Sequence, residues 1–120
     1  MREYLKFYID GQWVEALTPK TIDVINPATE ECAGRFAAGS AADVDRAVQA
    51  ARRAFESFSR TTREERVGLF EKVITEYKRR SEDLAVAISE EMGAPISLSR
   101  HAQVLLAAMH FKAGLGVLKS

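Results

Sequence analysis

At 120 residues the chain has room for one domain or part of one. Apolar residues make up 47% and charged residues 28%, which excludes the composition of a disordered tail. Its 17 basic residues are balanced by 17 acidic ones, so nucleic acid is not an expected partner, since phosphate binding needs a basic excess on one face.

The first six residues lead into no apolar run, and no stretch has the length of a bilayer span, so neither a signal peptide nor a membrane segment is expected. Cys32 is the only cysteine and cannot form an internal disulfide. The default compartment is the cytoplasm.

Residues 7–38 read as strands. Phe7-Tyr8-Ile9 and Trp13-Val14 flank Asp10-Gly11, a pair suited to a tight hairpin turn because both positions tolerate positive φ. A loop at Thr18-Pro19-Lys20 leads to the β-branched run Thr21–Ile25, which ends at Asn26-Pro27. Residues 27–31 form a second turn, and Cys32–Ala38 a third strand ended by Gly39.

The period then changes from strand to helix. Ser40 with Asp43 approximates a capping box and opens a helix over about 41–58, whose apolar stripe is Val44, Ala47, Val48, Ala51, Ala54, Phe55 and Phe58. Thr62 with Glu65 completes a second box and opens a helix over about 63–92. Its stripe runs through Val67, Phe70, Val73, Ile74, Tyr77, Ser81, Leu84, Ala85, Ile88 and Met92. Unbroken, that helix would be about 45 Å long at ~1.5 Å per residue, long for so small a domain, and Arg80-Ser81 is where a bend is expected. Gly93 and Pro95 stop it. A third helix over about 96–118 presents Leu98, Ala102, Leu105, Ala108, Met109 and Leu115. The fold class is therefore α/β: a β-hairpin and strands followed by three amphipathic helices.

No residue in this pattern carries chemistry. Cys32 follows Glu30 and Glu31 in a strand, a setting that does not favour a thiolate, and reads as a small buried side chain. His101 and His110 are nine residues apart on one helix and fall on opposite faces, so they do not share a metal. Glu90-Glu91 closes the second helix, where a carboxylate faces the negative end of the dipole and calls for an arginine or lysine partner. Gly34-x-x-x-x-Gly39 lacks the following Lys-Ser/Thr of a phosphate loop, and Gly114-Leu115-Gly116 lies within a helix without a third glycine.

The order of the pieces is more telling than any one of them. Residues 7–14 resemble the opening hairpin of the aldehyde dehydrogenase superfamily, and Val24–Glu31 resembles its N-P-A-T-x-E turn. Ala41–Phe55 is similar to its A-D-V-D-x-A-V-x-A-A-R-x-A-F helix. Arg66, Leu69, Leu84-Ala85 and Glu90-Glu91-Met92-Gly93-Ala94-Pro95 resemble its second helix with the E-x-G-x-P end. The likeness runs from residue 7 to about 115. Two positions depart from it: Glu30 stands where the family usually has glycine, and Ala94 where it usually has lysine.

The resemblance implies that residues 1–120 are the N-terminal portion of a Rossmann-like cofactor-binding domain. It implies an enzyme that oxidises an aldehyde to a carboxylic acid with NAD or NADP. In that family a cysteine thiolate captures the aldehyde, hydride passes to the cofactor, a glutamate activates water, and a backbone N–H and an asparagine stabilise the oxyanion. All of those residues come later in the family's chains, so no catalytic, cofactor-binding or metal-ligating residue is assigned here. Cys32 is not the family's nucleophile. Some members hold a structural monovalent cation at positions corresponding to Val24, Ile25 and Glu91. The resemblance further implies that the chain alone is inactive, with either the rest of the dehydrogenase chain or a second copy of itself as partner. The alternative is a self-associating structural module derived from the same fold.

Overall fold

The computed structural model describes residues 2–120, which divide into two compact units, residues 2–60 and 61–120. The first unit is built of strands β1 (Arg2–Tyr4), β2 (Lys6–Ile9), β3 (Gln12–Glu15), β4 (Thr21–Ile25) and β5 (Cys32–Ala37), and helix α1 (Ala41–Phe58). β2 and β3 form an antiparallel hairpin with Phe7 opposite Val14 and Tyr8 opposite Trp13. Asp10 (φ 56°) and Gly11 (φ 75°) both take the left-handed conformation that the tight turn demands. The other three strands form a sheet in the order β1-β5-β4, parallel between β1 and β5 and antiparallel between β4 and β5.

β1 was not predicted. Its three residues, Arg-Glu-Tyr, carry no apolar alternation, and what holds them is the partner strand. Arg2 sits opposite Gly34, where an added Cβ would come within 2.8 Å of the Arg2 carbonyl oxygen. Gly34 is thus the residue that lets β1 approach β5.

The turn from β4 to β5 is knit locally. The Asn26 N–H donates to the Glu31 carbonyl (2.9 Å), the Glu30 N–H to the Asn26 carbonyl (2.8 Å), and the Ala28 N–H to the Asn26 side-chain oxygen (2.9 Å). Closing it puts Glu30 at φ 60°, an uncommon conformation for a residue with a side chain.

α1 has the predicted limits but not the predicted covered face. Val44, Val48, Phe55 and Phe58 are 58%, 48%, 68% and 49% exposed, while Asp43 and Ala50 are buried. Helical spacing identifies an apolar stripe but not its cover. In this unit the hairpin comes up on the alanine side, where Ala47, Ala50, Ala51 and Ala54 line a shallow groove with Tyr8 to Gly11.

The second unit is helical: α2 (Arg63–Arg79), α3 (Ser81–Met92), α4 (Ile96–Leu98) and α5 (Val104–Lys119), with a wide π turn (Ser99–Gln103) joining the last two. The long helix expected over 63–92 breaks at Arg80 (φ −100°, ψ 11°), at the expected bend. Its stripe is the packed one, with Ile74 and Ala85 buried and Phe70 and Tyr77 half-buried; only Val73 and Met92 stay exposed. α2 and α5 meet along an aromatic seam. The Phe111 ring centroid lies 5.4 Å from that of Tyr77 and 6.3 Å from that of Phe70. The Tyr77 hydroxyl donates to the Val104 carbonyl (2.9 Å). Gly93 takes φ 69° and ends α3 as expected.

The predicted face of the third helix is covered only in part: Ala108 and Leu115 are half-buried, while Leu98, Leu105 and Met109 are 49%, 51% and 64% exposed. A regular helix carrying on from buried Ser99 would next bring in Gln103, Leu106 and His110. The π turn adds one residue, so the Val104 N–H reaches back to the Ser99 carbonyl, and Val104, Ala107, Phe111 and Leu115 turn inward instead.

Candidate functional site

The most connected polar group in the first unit is Asp43, only 3% exposed. One oxygen, Oδ2, accepts from the Ser40 N–H (3.0 Å) and the Ser40 hydroxyl (2.8 Å). The other, Oδ1, accepts from the Leu17 N–H (3.2 Å) and from Arg46 Nη2 (2.9 Å). Arg46 Nη2 also donates to the Glu15 carbonyl (3.0 Å), while Arg46 Nε is buried with no hydrogen-bond partner. The Ser40 backbone N–H, the Ser40 hydroxyl, the Leu17 N–H and the Arg46 charge together hold the Asp43 carboxyl below its ordinary pKa, against an opposing effect of burial. The sequence marks Asp43 as a helix cap and leaves Arg46 outside the apolar stripe Val44, Ala47, Val48, Ala51, Ala54, Phe55 and Phe58. It does not mark them as the tie between α1 and the segment that follows β3.

In the second unit the Arg100 guanidinium forks onto Glu82, with Nε 2.9 Å from Oε2, and this hydrogen bond and charge hold the Glu82 carboxyl below its usual range. The Ser99 hydroxyl donates to Gln103 Oε1 (3.1 Å) inside the π turn, and the Ser89 hydroxyl donates to the Ala94 carbonyl beyond Gly93. These groups position helices. They form no reacting constellation.

The residues weighed in the sequence fall as follows. Cys32 opens β5, half-buried, its thiol donating to the Gly34 carbonyl (3.3 Å). His101 is exposed with Nδ1 2.9 Å from the Ser97 carbonyl, and His110 is exposed on α5. Val24 and Ile25 are in β4 of the first unit, and Glu91 is exposed near the end of α3 in the second. Among the described residues no three His, Cys, Asp or Glu side chains gather to hold a metal ion. No helix formed by them is long and apolar enough to cross a membrane.

A dinucleotide does not fit the residues present. Its pyrophosphate needs a glycine-lined turn opening onto free backbone N–H groups at a helix start. Here α1 opens on the carboxylate of Asp43 and α2 on that of Glu65, each accepting from its own cap. Gly34 is used by β1, and a Cβ added at Gly114 would meet the Phe70 ring at 3.6 Å.

Comparison with known proteins gives the frame for these observations. Residues 13–120 match the aldehyde dehydrogenase family. A protein of Staphylococcus aureus (strain bovine RF122 / ET3-1) named for that family is 48% identical over 113 residues, which are 94% of this chain and 24% of that protein. A solved aldehyde dehydrogenase from Bartonella henselae superposes with a TM-score of 0.96 at 39% identity, over 99% of this chain and 25% of that one. A mutant of aldehyde dehydrogenase C from Pseudomonas syringae, solved with NAD+ and octanal, gives a TM-score of 0.92 at 50% identity, over 96% and 24% of the two chains. The chain belongs to the aldehyde dehydrogenase family. It spans about a quarter of the length of the relatives it matches.

Proposed function

We propose that this chain is the N-terminal part of the cofactor-binding domain of an NAD(P)-dependent aldehyde dehydrogenase, and that the whole enzyme oxidises an aldehyde to the carboxylic acid. The observation that carries this reading is the likeness of both units, in chain order, to a quarter of solved dehydrogenases. NAD+ is present in the Pseudomonas syringae structure and in one from Mycobacterium tuberculosis, which superposes with a TM-score of 0.91 at 28% identity, and this makes NAD the favoured cofactor.

Two features support a segment made to be covered by further polypeptide: the stripe of α1 stands exposed, and α5 is apolar on two sides. Among the described residues none is set up as a nucleophile and none forms a phosphate cradle, and the 120-residue chain alone is expected to oxidise no aldehyde and to hold no cofactor.

The test is a chimera in which residues 7–115 replace the matching segment of the Pseudomonas syringae enzyme. Aldehyde-dependent NADH formation within about tenfold of the parent, a loss under ~1.4 kcal/mol, is the expected result. An inactive but folded chimera counts against the reading. Calorimetric titration of the 120-residue chain with NAD+ is expected to show no binding, and micromolar affinity overturns that part.

A further inference from the structure

We draw no further inference here: the strongest candidate, the uncharged outer face of α5 that carries Leu105, Leu106, Met109, Ala113 and Val117, stands on a chain spanning about a quarter of its relatives' length, and nothing in the structure shows what covers it.

Discussion

The two units open their main helices with the same device and put it to opposite uses. Ser40 and Asp43 cap α1, and Thr62 and Glu65 cap α2, each pair exchanging side-chain and backbone hydrogen bonds. Asp43 is buried and reaches out to Leu17 and, through Arg46, to Glu15. Glu65 is exposed, and its carboxylate turns back to accept from the Thr62 N–H. The first unit therefore ties its helix with a charged hub, and the second ties its helices with the Phe70, Tyr77 and Phe111 seam. A motif four residues long announces where a helix starts. What it is fastened to lies 26 residues away in one case and nowhere in the other.

The strongest way to break this contrast is to put a carboxylate on each apolar stripe. Phe70→Asp places a charge against Phe111 and Gly114, in the seam itself. It is expected to remove roughly 3–5 kcal/mol and with it the cooperative melting of the second unit. Phe55→Asp on the 68% exposed position of α1 is expected to change stability by no more than about 0.5 kcal/mol. Thermal melts of the two variants decide it. Equal losses would mean that the stripe of α1 is covered after all.

The caps come next in size. Ser40→Ala removes the acceptor of the Asp43 N–H and one donor to a buried carboxylate, and is expected to destabilise the first unit by roughly 1–2 kcal/mol. Thr62→Ala loses an exposed, self-contained cap, with an expected cost near 0.5 kcal/mol. Urea melts followed by circular dichroism compare them. A larger effect at Thr62 would contradict the ranking of the two boxes.

Acid should sharpen the same distinction. Asp43 is held below its ordinary value by the Ser40 N–H first of all, so its folded pKa lies under the unfolded one. The stability it confers is fully present above the unfolded value of about 3.9. It is lost as pH falls from there through the folded pKa, because the unfolded chain takes up the proton first. Asp43→Asn is expected to lower stability at neutral pH and to flatten the acid limb of the stability curve. Glu82 is shifted the same way by Arg100 but is exposed, so Glu82→Gln should leave that limb nearly unchanged. A steep acid limb that persists in Asp43→Asn would locate the sensitive carboxylate elsewhere.

What could be read in the sequence was what local chemistry fixes. The hairpin at Asp10-Gly11, both capping boxes, the break near Arg80 and the stop at Gly93 each depend on a few neighbouring residues, and each was legible. β1 was not, because its pairing depends on Gly34, about thirty positions away, having no side chain. The face of α5 was legible only at Ala108 and Leu115, because the π turn at Ser99–Gln103 adds one residue without a glycine or proline to mark it. Cys32, His101 and His110 stand on three different stretches of the fold, β5, the π turn and α5. The Asp43 hub was half legible, its cap visible and its reach to Leu17 hidden in a loop.

The smallest expected effect tests a departure from the family pattern. Glu30 stands where the resemblance places glycine, and the structure supplies the physical reason for that preference. The bonds from Glu30 N–H to Asn26 and from Asn26 N–H to Glu31 close the turn only with residue 30 at φ 60°. An L side chain there costs roughly 1–2 kcal/mol, and glycine forfeits roughly 0.5–1 kcal/mol of that gain to the freedom it has in the unfolded chain. Glu30→Gly is therefore expected to raise stability by about 0.5 kcal/mol, visible as a small rise in the urea midpoint without a change in slope. Glu30→Ala keeps the Cβ and should give no such rise. If both raised the midpoint equally, the benefit would come from removing the Glu30 charge beside Glu31, and not from the backbone of the turn.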